Sequence, residues 1–376
     1  MDIESRDAPV TCGAKVNEAL YGRTSRHPYY IVAPRYVRTS AGIRALYILC
    51  NALNVFGEEA YIVIDRATWI DQIADIPLRA PHLTKFIAES HYASGLTPVV
   101  IYSETANCDL KAGVAVRYIL NYVGLLNGPK TLPRSDLTIA YSKNLARTLP
   151  NSDMTLYIPV SDPNYWIPDP SATRKGRLVY AGKYTDFHGH EIPPEIKSGS
   201  TVITRDKKDS QTPEELRRLF QTSEALYVFE NTAVATEAAL CGCPVVWTMG
   251  DTLHEAIAGE ELGSDGFTDS HSNEALTDAA SRVPAFRNRY LTSVLDFETH
   301  LQTFIQITRA AVAARPYDKI VELPSIPILD ALDAVHRHAR RLTISVIEIG
   351  LIETLARAWR GRIRMLVQAF ASHRDQ

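Results

Sequence analysis

At 376 residues the chain is too long for one ordinary hydrophobic core and fits two domains of moderate size. With 45% hydrophobic and 22% charged residues it has the composition of a soluble globular protein, and a net charge of −3 gives no overall electrostatic case for nucleic acid. Five cysteines, an odd count without Cys-x-x-Cys spacing, argue against a disulfide scaffold or zinc site and fit a reducing cytoplasm; no apolar run reaches bilayer-spanning length.

Residues 1–27 show little periodicity and several charges. They read as a leader, and the polar, acidic start MDIESRDAPV is not a signal peptide. Tyr29–Ala33 (YYIVA) is the first strand. The loop Pro34–Ser40 carries Arg35, Arg38 and Thr39, and Ala41–Phe56 follows as a helix with an apolar face at Ile43, Leu46, Tyr47, Leu49, Cys50 and Leu53. Taken alone, Arg44 reads as a helix-surface arginine. Gly57 ends the helix, and Ala60–Ile64 is the second strand. Thr97–Tyr102 (TPVVIY) is another strand, ending at Ser103-Glu104-Thr105. Loops after parallel strands line ligand crevices, so Glu104 is either a cleft residue or a plain loop glutamate. Val114–Leu126 (VAVRYILNYVGLL) reads as a helix stopped around Asn127-Gly128-Pro129. Leu137–Tyr141 is a strand, and Ser142–Leu149 holds a short helix ended by Pro150.

Asn151–Lys175 is rich in Pro and Asp and reads as the linker between two αβ halves. Gly176–Ala181 (GRLVYA) opens the second half and is followed by Gly182-Lys183. His188 and His190 alone make a weak metal site, and a loop explains them as well. Thr201–Thr204 is a strand ending at Arg205. Thr212, with Glu215 three residues on, has capping-box spacing for a helix over Pro213–Ser223.

The most informative stretch is Phe229–Val246, FENTAVATEAALCGCPVV. Ala225–Phe229 is a strand; Asn231 and Thr232 suit a helix start; Ala233–Leu240 is an alanine-rich helix; Gly242 and Pro244 stop it; Val245–Trp247 restarts a strand. The first N–H groups of such a helix have no internal partner and face a positive dipole end, an arrangement matched to phosphate. Thr232 and Ala233 are placed for that. Glu237, about a turn and a half on, could accept two hydrogen bonds from vicinal hydroxyls such as those of a ribose, and Glu230 would face what lies beyond the phosphates. The plain alternative is an ordinary crossover with two solvated glutamates.

Beyond it, Leu253–Glu260 reads as a helix, Glu261–Ser270 as a loop, and Ala285–Ala314 as one long helix or two. From Val335 onward acids are few, and Arg337, Arg340, Arg341, Arg357, Arg360, Arg362, Arg364 and Arg374 interleave with apolar residues including Trp359 and Phe370. A basic amphipathic helix of this kind can lie on an anionic membrane surface; the alternative is packing on the body or on a second copy of the chain.

The stretch around Glu230 and Glu237 resembles the donor-binding motif of GT-B-fold glycosyltransferases, specifically the large retaining family four. That family carries two glutamates, usually with seven residues between them, then an Ala-rich helix, a small-Gly-x-Pro turn and a Val-Val strand. Here the helix, the CGCPVV turn and both glutamates are kept, with six residues between the glutamates instead of seven. The opening unit, with Gly42 and Arg44 at its helix start, resembles the loop that reaches the donor phosphates in that family, one glycine of the usual two being kept. The pattern PVVIYSE…RYILNYVGLL…SDLTIAYSK resembles a bacterial branch of it.

The resemblance implies an α/β protein of GT-B architecture: two Rossmann-like doubly wound parallel-sheet domains facing a cleft, plus a C-terminal helical tail. Residues 1–160 would be the acceptor-side domain, 161–300 the donor domain, and 301–376 a crossing helix and basic tail. It implies transfer of a sugar from a nucleotide-diphosphate-sugar to a glycan or lipid-linked acceptor, with retention, in bacterial polysaccharide or lipopolysaccharide synthesis. Lys183 and Glu230 would be catalytic, with Glu104 beside them. Glu237, Thr232, Ala233, Arg205, Gly42 and Arg44 would bind the donor. No Asp-x-Asp occurs, which fits metal-independent stabilisation of the leaving group, in which Lys183 and the helix N–H groups would stand in for a divalent ion; no cofactor is expected. The expected location is the cytoplasm, peripheral on the inner face of the plasma membrane. Two alternatives remain at this stage: a nucleotide-sugar 2-epimerase of the same fold, and a catalytically degenerate binding partner. The sugar, base, acceptor and linkage are not legible.

Overall fold

The computed structural model describes residues 27–65, 78–106, 109–111, 113–126, 128–186, 188–205, 210–248, 250, 255–315 and 319–323. The leader (apart from residue 27) and the basic tail from Val335 lie outside them. Among the described residues no helix is long and apolar enough to cross a membrane.

Two fully parallel sheets organise the chain. The first contains β1 (Tyr29–Ala33), β2 (Ala60–Ile64), β3 (Val99–Ser103), β4 (Val114–Ile119), β5 (Leu137–Ala140) and β6 (Met154–Thr155), in the order β2-β1-β3-β4-β5-β6. The second contains β7 (Arg177–Tyr180), β8 (Ser200–Val202), β9 (Ala225–Val228), β10 (Val245–Trp247) and β11 (Phe267–Thr268), in the order β11-β10-β9-β7-β8. This is the two-lobed, doubly wound α/β architecture expected. In each sheet the first strand lies between the second and the third, so the connections leave in opposite directions there. The loops after those strands splay apart and leave a crevice at the carboxyl ends. One crevice lies between β1 and β3, the other between β7 and β9.

The helices follow from local signals. In the first lobe α1 (Ala41–Val55) is capped by Ser40, whose Oγ accepts from the Ile43 N–H. Next come α2 (Lys85–Ala93) and α3 (Lys143–Ala146), the latter capped by Ser142. In the second lobe α4 (Lys183–Asp186) follows β7 directly, and α5 (Pro194–Lys197) precedes β8. The capping box of Thr212 and Glu215 is formed at the start of α6 (Pro213–Thr222). Then come α7 (Ala233–Leu240), α8 (Gly259–Leu262) and α9 (Asn273–Ala313). Cys241 and Cys243, at the end of α7, are buried free thiols whose pKa burial pushes up to about 12, as suits small packing residues.

Several expectations change. Val114–Leu126 is not a helix: Val114–Ile119 forms β4, paired on both sides, and residues beyond it turn back toward the cleft. A strand buried on both faces carries a continuous apolar run, which has no period to separate it from a buried helix. Tyr118 shows the strand geometry, its hydroxyl donating to the Leu156 carbonyl at 2.6 Å. Of the helix read at Leu253–Glu260, residues 253 and 254 lie outside the described residues and 255–258 are not helical; α8 covers four residues, and the loop read after it contains β11.

The long helix starts earlier than read, at Asn273, where Ser272 caps it, and runs 41 residues, about 60 Å at 1.5 Å per residue. Its first half packs on the second sheet, with Phe286 against Phe267. Its last turns reach the first sheet, where Tyr29 and Thr308 share a 2.8 Å hydrogen bond and Arg309 pairs with Glu58. The segment read as a linker is packed: it supplies β6, and its Tyr157 and Trp166 enter the core of the second lobe.

Candidate functional site

A cleft of about 1150 Å³ is lined from both lobes. Its walls are the two crevices just described. From the first lobe come residues 40–43 after β1 and 103–105 at the end of β3; from the second come Gly182 and Lys183 after β7 and residues 230–233 after β9. The chain order of these segments is far apart, and the strand order brings them together.

On the second lobe, Thr232 has extended backbone and caps α7, its Oγ1 accepting from the Val234 N–H at 3.2 Å. Thr232 and Ala233 face the cleft, so the positive end of the helix is turned to it. Glu230 is 7% exposed, and its Oε2 accepts from the Lys183 N–H at 2.8 Å. Burial raises its carboxyl pKa; the Lys183 charge and that backbone hydrogen bond oppose the rise. Between them sits Gly182 at φ +47°. A Cβ there would lie 2.6 Å from Glu230 Oε1 and 2.7 Å from the Tyr180 hydroxyl. The turn is thus built so that the lysine backbone and the glutamate close on each other.

Across the cleft, Glu104 is 4% exposed and its Oε2 accepts from the Leu120 N–H at 2.9 Å. Burial raises its pKa as well, countered by backbone N–H groups and by Lys183. Gly128, at φ +92°, lets the turn after β4 close over this loop, since a Cβ would fall 2.6 Å from the Glu104 carbonyl. One cation, Lys183, therefore acts electrostatically on two buried carboxyls from opposite lobes. Arg205 also lines the cleft, and its charge opposes the rise at Glu230. Its Nε is buried without a hydrogen-bond partner among the described residues.

Glu237 stands in a setting different from the one expected. It is 1% exposed, does not line the cleft, and its Oε1 is bound by Arg44 Nη1 at 2.9 Å, with Ser161 Oγ at 3.5 Å. The reading of Arg44 as a surface arginine on α1 likewise does not hold, since it is buried. Gly42, two residues earlier, does line the cleft. His188 and His190 are exposed neighbours with ring centroids 6.2 Å apart. Among the described residues no group of three or more His, Cys, Asp or Glu could hold a metal ion.

A further set of residues escaped the sequence reading. Asn231 holds the segment that follows β10: its Oδ1 accepts from the Ile257 N–H at 2.8 Å and its Nδ2 donates to the Glu255 carbonyl at 2.9 Å. That segment in turn grips α3 of the first lobe. Ser142 donates to the Ile257 carbonyl, the Lys143 N–H to Glu261, and Asn144 to Glu255. Arg147 pairs with Glu255 and Glu260. The start of α7 is thereby tied to the opposite lobe. The Ser142 cap was the only local trace of this; the partners lie over a hundred residues apart.

No protein-family model matches the chain, and no curated protein matches it. Among solved structures, a glycosyltransferase from Rickettsia africae ESF-5 is similar at 12% identity with a TM-score of 0.48, covering 77% of this chain and 99% of that one. A mutant of the O-GlcNAc transferase of Thermobaculum terrenum is similar at 12% identity and TM-score 0.45, covering 77% and 69%. The glycosyltransferase SnogD from Streptomyces nogalater gives 12% and 0.40, covering 76% and 100%. At this distance the chemistry has to be read from the side chains of this chain.

Proposed function

We propose that the chain is a glycosyltransferase that moves a sugar from a nucleotide-diphosphate-sugar to a hydroxyl of a glycan or lipid-linked acceptor, with retention and without a divalent ion. The observation that carries this reading is the convergence of Lys183, buried Glu230 and the open start of α7 on one wall of a two-lobed cleft, with Glu104 on the other. The diphosphate would sit at the helix start and Lys183, the transferred sugar at Glu230, and the pentose toward Glu237. In the reaction the bond between the anomeric carbon and the β-phosphate oxygen breaks, and a bond from that carbon to the acceptor oxygen forms. The acceptor proton passes to the departing phosphate side. Charge grows on that phosphate, so the fixed N–H groups and the lysine bind it better at the transition state than in the ground state. The contacts between α3 and residues 255–261 would hold the lobes together and keep water from the donor.

We place the reaction in cell-surface polysaccharide or lipopolysaccharide synthesis in the cytoplasm, at the inner face of the plasma membrane; the arginine-rich sequence from Val335 supports this. Loss of liposome flotation on removing that segment tests the placement, and unchanged flotation rejects it.

The transfer itself is tested by a thermal-shift panel of UDP-, GDP-, dTDP- and CMP-sugars, because a ligand of the folded state raises its melting temperature. One of the three diphosphate donors should stand out over the monophosphate CMP-sugar and be turned over with an acceptor. A flat panel rejects the reading, and a new nucleotide-sugar formed from donor alone replaces it with epimerisation.

A further inference from the structure

The contact between Arg44 and Glu237 is chemically incomplete. Both side chains are nine-tenths or more buried, yet Arg44 Nε, Arg44 Nη2 and Glu237 Oε2 have no hydrogen-bond partner among the described residues. Buried polar groups are almost always paired, and leaving one unpaired is costly, so three at one junction mark a place where further partners fit. The junction adjoins the cleft on both sides. Ile43 and Ala45, flanking Arg44 on α1, line the cleft, as does Thr236, which precedes Glu237 on α7.

We infer that before donor binds Arg44 occupies the pentose position of the donor subsite, that the pentose hydroxyls displace it from Glu237, and that the released guanidinium then pairs with the donor diphosphate. This rests on the donor reading given above and adds an exchange to it. The chemistry of each partner suits the exchange. A carboxylate with one paired and one unpaired oxygen can accept from two sugar hydroxyls. A guanidinium keeps its charge and presents a planar fork that fits two phosphate oxygens. The start of α1, residues 40–43, already forms part of the cleft wall, and Arg44 follows it directly in the chain.

The exchange makes the two halves of the donor depend on each other. A nucleoside alone would take Glu237 and leave Arg44 buried without a counter-charge. Pyrophosphate alone would draw Arg44 away and leave Glu237 uncompensated. Only a nucleoside diphosphate supplies both replacements. The coupling is reciprocal by thermodynamic necessity, and couplings of this type span about 5–150-fold in affinity.

Calorimetric titration of the unmodified full chain tests this with uridine, guanosine and thymidine, the corresponding diphosphates, and inorganic pyrophosphate. Saturating pyrophosphate should tighten binding of the preferred nucleoside about tenfold or more. In Arg44→Met the nucleoside alone should bind about tenfold more tightly than in the unmodified chain, because its competitor is gone, and the pyrophosphate effect should vanish. A diphosphate that binds while nucleoside and pyrophosphate act independently overturns the exchange and leaves the donor reading standing. So does an Arg44→Met variant, folded by circular dichroism, in which nucleoside and diphosphate weaken by the same factor. If the variant does not fold, the pyrophosphate effect in the unmodified chain decides alone. If none of the three diphosphates binds, the donor reading falls and the exchange falls with it.

Discussion

The backbone N–H of Lys183 donates to Glu230 Oε2 at 2.8 Å, joining the turn after β7 to the turn after β9 across 47 residues of chain. The two turns flank the crevice of the second sheet, so this hydrogen bond fixes where the lysine side chain starts and where the glutamate points. Gly182 makes the approach feasible by taking φ +47° and by having no Cβ.

Gly182→Ala should therefore damage both fold and site. A left-handed alanine costs about 1–2 kcal/mol, and its Cβ would press on Glu230 and Tyr180 in addition. Gly189→Ala is the control: φ is +73°, but nothing lies within 4 Å of the added Cβ. Urea denaturation should show the larger loss at Gly182, and nucleotide affinity should fall only there. Equal losses at both positions would remove the steric argument.

Lys183→Ala should lower kcat about 100-fold while changing donor affinity less than about tenfold, as expected for a cation whose interaction strengthens as charge develops on the leaving group. Steady-state rates alongside calorimetry separate the two effects. A variant with full turnover would strip Lys183 of its role.

The buried pair gives a stability prediction independent of any ligand. Glu237→Ala leaves Arg44 charged and buried without its partner, a loss of about 3–5 kcal/mol for pairs of this type. Removing both charges, with Arg44→Met and Glu237→Ala together, should cost clearly less than the sum of the single changes. Additive losses in urea denaturation would mean that the two side chains do not stabilise each other.

Glu230 makes stability depend on pH in a defined direction. Burial raises its pKa in the folded protein above the value of the unfolded chain. Its contribution is fully present below the unfolded value, about 4.3 for glutamate, and is lost as pH rises through the folded value. Glu230→Gln, which keeps an acceptor for the Lys183 N–H, should thus raise the melting temperature of the ligand-free protein near neutral pH. The advantage should fade as the pH falls toward the ordinary carboxylate range. A glutamine variant that melts lower at every pH would show that the Lys183 attraction outweighs burial.

Much of the local structure was written in short stretches of chain. The cap at Ser40, the box of Thr212 and Glu215, and the strand–turn–helix of residues 225–240 each follow from a few neighbouring residues whose backbone groups need partners. So do the places where Glu104, Lys183 and Glu230 fall, at the carboxyl ends of strands. Val114–Ile119 misled because burial on both faces erases the alternation that marks a strand, and β11 is two residues long.

What the sequence by itself determined is the succession of elements and the residues offered at each strand end, because caps, turns and apolar periods are short-range constraints. What only the tertiary structure decided is which of those ends meet. Arg44 and Glu237 are 193 residues apart, and Asn144 and Glu255 are 111 apart. Their pairing depends on the strand order of two sheets and on how the lobes close, which no local pattern carries. That is why Glu237 could be placed on α7 from the sequence, while the arginine that holds it could be found only in three dimensions.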